Sequence, residues 1–164
     1  MHRIPARAVA GALALATALL SGACATAPPP ALEPARLTLR VTPNPIVATP
    51  LDGGRYQFDF DLEIREEGGS DVAIDRVSAD VVAFGGLRIA SRKMDAAEIA
   101  RRGYATSVGA RRSIRYVFSQ KHDVPDDRLL ESVKAELLIE GTDALGNRTT
   151  ARATVGVVRG ERTN

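Results

Sequence analysis

The stretch Tyr56-Gln57-Phe58-Asp59-Phe60-Asp61-Leu62-Glu63-Ile64 alternates strictly, with apolar side chains at even positions and polar side chains at odd positions. Successive side chains of a β-strand point to opposite faces of its sheet. The alternation therefore predicts a strand with one buried and one solvated face. A helix would place both kinds of side chain all around its axis.

The same alternation recurs along the chain and predicts five further strands. Their apolar positions are Leu37, Leu39 and Val41; Val77, Ala79, Val81 and Ala83; Ile114, Tyr116 and Phe118; Val133, Ala135, Leu137 and Ile139; and Ala151, Ala153, Val155 and Val157. A short run over residues 87–89 supplies a candidate seventh strand. Glycine pairs, which tolerate the positive φ of tight turns, separate several runs, and residues 143–147 have the composition of a hairpin loop.

One segment, residues 95–103, predicts a short helix. It begins with Asp95 as an N-cap, has Glu98 three positions later, and ends with basic residues before Gly103. An acidic first turn, a basic last turn and a terminal glycine are signals that begin and end a helix.

The number and spacing of these elements predict an all-β fold. Short strands without helices to cover a parallel sheet favour an antiparallel sandwich. In strand count and spacing, residues 36–159 resemble the immunoglobulin-like and fibronectin-type-III-like domains of bacterial lipoproteins. The resemblance implies a single β-sandwich of about seven strands with one short helix. Residues 160–164 are expected to form a disordered tail.

The N-terminal segment has the features of an export signal. Arg3 and Arg7 form a positive region, and Ala8 to Leu20 is an uncharged run of 13 residues. This run is too short to cross a hydrocarbon core of about 30 Å as a stable helix. We therefore expect residues 1–23 to be a cleaved signal peptide.

The end of this segment, Leu20-Ser21-Gly22-Ala23-Cys24, resembles the lipobox of bacterial lipoproteins. The resemblance implies a diacylglycerol thioether on Cys24, with acyl chains such as palmitate, and a membrane anchor. Two alternatives stay open: ordinary secretory cleavage that leaves Cys24 as a free thiol, and an uncleaved signal anchor. Cys24 is the single cysteine of the chain, so an intramolecular disulfide is excluded.

Residues 24–35 are rich in proline and alanine and predict a linker between the lipid and the domain. Its extended and disordered forms are both open. Ala25 follows the cysteine, where enteric-type sorting places aspartate to retain a lipoprotein in the inner membrane. By that resemblance we expect the periplasmic face of an outer membrane, whereas a Gram-positive source would place the protein on the cell surface.

The charge balance excludes one class of partner. Removing Arg3 and Arg7 with the signal leaves 20 basic and 20 acidic side chains. This neutrality, with no tryptophan for base stacking, argues against nucleic acid. The acidic segment 51–80 and the basic segment 88–115 are expected to neutralise each other, with a polar partner surface as the alternative.

The outward charges predict which strands are neighbours. If the strands containing Leu37, Tyr56 and Ile114 lie side by side, the row Asp59, Asp61 and Glu63 faces arginines on both sides. Those arginines are Arg36, Arg40 and Arg115. We expect this row to be solvated decoration and not a catalytic carboxylate pair.

Motifs for catalysis and cofactors are sparse. His122 is the one histidine outside the signal, which leaves at most one base for a triad and one imidazole for a metal. Residues 122–127 offer carboxylates but lack the spacing of an EF-hand loop, and we expect an ordinary acidic loop. Asn147-Arg148-Thr149 matches a glycosylation acceptor, but Asn147 is expected to serve as a turn residue. We predict no catalytic, cofactor or metal site.

These observations favour a non-catalytic, lipid-anchored envelope protein that acts as a structural or protein-interaction module. The last strand, residues 151–158, is expected to be an exposed edge that pairs with a partner strand. A ligand-binding or glycan-binding accessory domain is the alternative. The sequence leaves the partner and the oligomeric state open.

Overall fold

Nine strands and one short α-helix make up the described part of the chain, residues 33–86, 88–124 and 126–161 of a computed structural model. In chain order they are β1 (Leu37–Thr42), β2 (Ile46–Pro50), β3 (Arg55–Glu66), β4 (Val72–Val82), β5 (Arg88–Asp95), α1 (Ala96–Arg101), β6 (Ser107–Val108), β7 (Ser113–Asp123), β8 (Lys134–Asp143) and β9 (Arg148–Arg159). The all-β prediction is confirmed, and every predicted strand forms. The two additional strands are β2, which begins with three consecutive apolar residues and so does not alternate, and β6, which has two residues.

The strands form two layers that share β9. In the first layer β3 is central, with β1 and β2 along one side and β7 along the other. In the second layer β4 is central, with β8 on one side and β5 and β6 on the other. Residues 148–156 of β9 pair with β8, and residues 157–159 pair with β2.

The pairing of β2 with β9 corrects one detail of the prediction. It is parallel, whereas the other pairings among the described strands are antiparallel. The sandwich is therefore mixed. Because β9 is long enough to leave the second layer and enter the first, it joins both layers at one side.

The core between the layers is built from the apolar positions of the alternating runs. Leu62, Ile64 and Tyr116 of the first layer and Ile74 and Ile139 of the second are almost completely buried. Burial of an aliphatic side chain of this size stabilises a fold by about 1.5–3 kcal/mol. The alternation seen in the sequence is thus the pattern of this core.

The helix forms where the sequence predicts it. Asp95 is the N-cap, and its Oδ1 accepts a hydrogen bond of 2.8 Å from the backbone N–H of Glu98. The chain then turns at Gly103, and the Tyr104 ring stacks on Tyr116 with 4.7 Å between centroids. The Tyr116 hydroxyl donates to the carbonyl of Ala105 at 2.5 Å. Burial, with a smaller contribution from Tyr104, raises the pKa of Tyr116 to about 12.

A buried carboxylate, Glu66, fastens the start of the domain. Its Oε1 accepts backbone N–H groups from Arg36 at 3.0 Å and Gly68 at 2.6 Å, and its Oε2 accepts from Arg111 at 2.8 Å. The N–H of Gly69 reaches both oxygens, at 3.1 and 2.9 Å. Burial alone would raise the pKa of Glu66, but these four donors more than offset it and hold the pKa below its usual range.

A second carboxylate, Asp143, holds Ala35, the residue before Arg36, in place. It accepts the backbone N–H of Ala35 at 3.2 Å and those of Leu145 and Asn147 at 3.0 and 2.7 Å. Burial would raise the pKa of Asp143, but the N–H groups of Asn147 and Ala35 contribute to a net lowering. The two carboxylates therefore hold the backbone where the linker meets the first strand.

Candidate functional site

The lipid-attachment prediction lies outside the described residues. Cys24, the signal at 1–23 and the linker up to residue 32 all precede the first described residue, Glu33. Residues 162–164 of the predicted tail also lie outside the described residues. In the part of the chain that the structure describes, no helix is long and apolar enough to span a bilayer.

The acidic row on β3 lies where the sequence predicts it. β3 is flanked by β1 and β7, with Arg40 and Arg115 both opposite Glu63. The Arg115 guanidinium forms an ion pair with Asp61. Arg36 differs from the expectation, because it forms an ion pair with Glu67, 3.8 Å away, and not with the row. The row is a charged, solvent-facing surface of the first layer.

The acidic loop after β7 is organised by local contacts. His122 and Asp123, which were predicted to lie in this loop, instead form the end of β7, and the ring of His122 packs edge-on against Phe58, with 6.0 Å between centroids. Asp126 accepts hydrogen bonds from the backbone and the guanidinium of Arg128, at 3.0 and 2.8 Å, and these bonds lower its pKa. Within the described ranges, no three His, Cys, Asp or Glu side chains are grouped in a way that could hold a metal ion.

The hairpin between β8 and β9 confirms the role of Asn147 as a turn residue. Its backbone and side-chain N–H groups both donate to Asp143, at 2.7 and 3.1 Å. Gly146 adopts φ of +84°, the left-handed conformation that favours glycine.

The prediction that the last strand is an exposed edge is wrong. Residues 148–156 pair with β8, and residues 157–159 pair with β2. The low charge of this strand reflects its place at the junction of the layers, where Ala151, Val155 and Val157 are buried. β5 and β7 each pair with one strand among those described.

The long-range charge balance is partly internal. Arg88 and Arg115 of the basic segment contact Asp80 and Asp61 of the acidic segment, the first pair at 3.3 Å. The helix arginines, Arg101 and Arg102, both form ion pairs with Glu98, at 2.5 and 2.7 Å.

The outer face of the second layer carries an open groove of about 590 Å³. Its side chains come from four adjacent strands in the order β5, β4, β8, β9. They include Lys93 and Arg88 of β5, Arg76, Ser78 and Asp80 of β4, Glu136, Leu138 and Glu140 of β8, and Arg152 and Thr154 of β9. The groove thus combines four cationic side chains with three carboxylates.

Strand register arranges these side chains in rows. Lys93, Ser78, Leu138 and Arg152 lie directly opposite one another across the four strands, which defines the cationic row. Because neighbouring strands are about 4.8 Å apart, this row spans roughly 14 Å between its outer Cα atoms. Two residues along, Asp80 lies opposite Glu136, which defines the acidic row.

Several groups in these rows lack a protein partner. Lys93, Arg152 and Glu136 form no ion pair with any residue that the structure describes. The Ser78 side chain is 7% exposed, and its hydroxyl forms no hydrogen bond within the same residues. Asp80 pairs with Arg88 through Oδ2, while its Oδ1 is buried without a hydrogen-bond partner. By contrast, Arg76 and Glu140 neutralise each other at 3.2 Å.

The groove was not predicted from the sequence, although its residues stand at recognisable positions. Ser78, Asp80, Glu136 and Arg152 occupy the outward positions of the predicted strands. Their alignment across the sheet depends on the register of β4 with β8 and of β8 with β9. Register between strands distant in sequence cannot be derived from alternation alone.

Comparisons with known proteins identify the fold but not a family. Neither protein-family models nor curated sequences gave a match. A structural genomics target, SoR45, has a similar structure, with a TM-score of 0.52 and 9% sequence identity over 79% of this chain and 94% of that chain. A Bordetella pertussis protein provisionally assigned as ApaA has a TM-score of 0.52 and 13% identity, covering 77% of this chain and 97% of that one.

A third structure, the CARDB domain of the PF1109 protein from Pyrococcus furiosus in complex with two metal ions, has a TM-score of 0.38. Its identity to this chain is 10%, over 79% of this chain and 96% of that chain. The likeness to SoR45 and the Bordetella protein supports the β-sandwich assignment.

Proposed function

We propose that this protein is a lipid-anchored component of the bacterial cell envelope whose sandwich is a non-catalytic, protein-binding module. One observation carries the proposal, namely the open groove on the second layer with charged and polar groups that lack partners within the described chain. Rows of exposed charges of opposite sign suit a partner surface that carries the complementary charges.

The anchor is proposed from the sequence. Leu20 to Cys24 supplies the lipobox-like end of the signal, and the thiol of Cys24 would carry the lipid. Each buried methylene contributes about 0.8 kcal/mol to membrane binding, so two or more acyl chains make attachment effectively permanent. With Ala25 after the cysteine, we place the domain at the periplasmic face of the outer membrane.

The absence of catalysis is also part of the proposal. The groove is open along a sheet face, so its cations and the carboxylates of Glu136 and Glu140 face water. Enzymes that use such groups as acids or bases place them in surroundings that exclude water and shift their pKa. A surface of this kind is better suited to recognition, because polar contacts in the open fix the orientation and register of a partner.

Metabolic labelling with an alkyne-bearing fatty acid, followed by membrane fractionation, tests the anchor. The wild-type protein is expected to carry the label and to sediment with membranes, and the Cys24→Ser variant is expected to lose both properties. Thr26→Ser, a conservative change in the linker, should behave as wild type. Membrane-bound, unlabelled wild-type protein would contradict the anchor.

A further inference from the structure

The most informative feature outside the predicted sites is the hydroxyl of Ser78 at the floor of the groove. Ser78 is 7% exposed, and its hydroxyl bonds to no described residue, so the hydroxyl is free to bond to a molecule in the groove. Lys93 lies directly opposite on β5, and Arg152 lies beyond Leu138 on β9. A donor hydroxyl between two cations suits a carboxylate.

The acidic row, in contrast, suits a cationic group. Asp80 and Glu136 are directly opposed on one face, a placement that is ordinarily unfavourable for like charges. Arg88 neutralises one oxygen of Asp80, but the other oxygen is buried without a hydrogen bond. A cationic group seated between the two carboxylates would relieve the repulsion between them.

The spacing of the two rows matches an extended chain. Ser78 and Asp80 are two residues apart on β4, which separates the rows by roughly 6.6–6.8 Å. Side chains two residues apart in any extended polypeptide have this same spacing. We propose that the groove binds an extended segment of a partner protein that has an acidic side chain over Ser78 and, two residues further along, a basic side chain over Asp80 and Glu136.

The mixture of charges distinguishes this occupant from a polyanion. A phospholipid surface or a phosphate-rich ligand would meet Lys93 and Arg152 favourably but would face the carboxylates of Asp80, Glu136 and Glu140. A polypeptide with both signs complements both rows. The inference rests on the proposed protein-binding function and names the chemistry of the partner.

NMR of the intact, isotope-labelled lipoprotein in detergent micelles tests the inference with two synthetic peptides. Both are blocked seven-residue peptides of threonine with one glutamate and one lysine. In the first peptide the two charged residues are two positions apart, and in the control peptide they are adjacent, so that an extended chain directs them to opposite sides. The first peptide is expected to shift the amide signals of Ser78 and Leu138 and to bind about tenfold more tightly, the equivalent of one charge-assisted hydrogen bond.

Variants localise the contact. Ser78→Ala and Arg152→Gln are each expected to weaken binding of the first peptide by about tenfold. Arg148→Gln is the matched control, because Arg148 is on the same strand and face as Arg152 but does not line the groove. Its affinity should stay within about twofold of the wild type.

Equal affinity for the two peptides, or equal losses in Arg148→Gln and Arg152→Gln, would overturn the inference. Inorganic phosphate or anionic phospholipid vesicles that shift the same signals as strongly as the first peptide would overturn it as well. If the lipidated protein still captures a partner but does not bind the first peptide, the groove inference is refuted and the proposed protein-binding function stands. If the native protein proves to be unlipidated but still binds the first peptide, the anchor is refuted and the groove inference stands.

Discussion

The Glu66→Gln substitution tests how the domain is fastened at its N-terminal end. The wild-type carboxylate is fully buried and accepts backbone N–H groups from Arg36, Gly68, Gly69 and Arg111. Glutamine keeps the size and shape of the side chain but replaces one acceptor oxygen with an NH₂ group. The NH₂ group would then face either the backbone N–H of Arg111 or the backbone N–H groups of Arg36 and Gly68.

The loss of stability in Glu66→Gln follows from the hydrogen bonds that are lost or weakened. With the amide oxygen in the Oε1 position, the bonds to Arg36, Gly68 and Gly69 survive as neutral bonds, while the 2.8 Å bond from Arg111 is lost. Hydrogen bonds to a charged group contribute about 1.5–3 kcal/mol, and neutral ones about 0.5–1.5 kcal/mol. We expect Glu66→Gln to lower the free energy of unfolding by about 3 kcal/mol at pH 7, a large share of the stability of a typical domain.

The same contacts predict a dependence on pH. The pKa of Glu66 is lower in the folded state than the ordinary pKa of an unperturbed glutamate. The contribution of the Glu66 carboxylate to the free energy of unfolding is therefore fully present above the ordinary pKa and is lost as the pH falls through the folded-state pKa. The stability difference between the wild type and Glu66→Gln should narrow as the pH is lowered from 7 to 3.

Urea denaturation at a series of pH values measures both effects. Glu67→Gln is the matched control, because Glu67 is an exposed neighbour with one long ion pair at 3.8 Å, and we expect a change within about 0.5 kcal/mol. An unfolding free energy for Glu66→Gln equal to that of the wild type at pH 7 would refute the reasoning. A constant difference across the pH range would refute the assigned protonation state.

The packing and hydrogen bonds make three further predictions. Gly141→Ala should lower the free energy of unfolding by about 1–3 kcal/mol, because a Cβ there would lie 2.6 Å from the carbonyl oxygen of Ala73. Gly156→Ala is the control, because its Cβ would meet Pro45 at an ordinary 3.5 Å, and equal denaturation midpoints for the two variants would contradict the packing. Tyr116→Phe should cost about 1 kcal/mol in thermal unfolding through loss of the bond to Ala105, and an unchanged melting temperature would argue against that bond. Asp143→Asn should speed hydrogen exchange at the amides of Ala35 and Leu145, while exchange at Ile64, in the core of β3, should stay slow; faster exchange at all three positions would indicate global destabilisation instead.

The fold could be predicted from the sequence to the extent that alternation encodes it. The even positions from Tyr56 to Ile64 point inward, and the charges at the odd positions correctly placed β3 between β1 and β7. Complementary charge identifies neighbours because facing side chains on adjacent strands interact directly. This information is local to each pair of strands.

Features that depend on several strands at once could not be derived in this way. The composition of β9 is the same whether it forms an edge or a junction, so its pairing with both β8 and β2 was missed. The groove depends on the register of four strands, and the sequence gives each strand without its register. Glu66 lies at an inward position, but its role depends on the N–H groups of Gly68, Gly69 and Arg111, which only the folded loop brings together.

The central claim is that a lipid on Cys24 holds a protein-binding sandwich at the cell envelope. Affinity capture of the intact protein from its native membrane, with mass spectrometry of the mature N-terminus and of the captured proteins, tests it most directly. We expect a mature chain that begins at Cys24 with a diacylglycerol thioether, together with a specific co-purifying envelope protein. An unmodified N-terminus, or a lipidated protein that captures no partner, would contradict it.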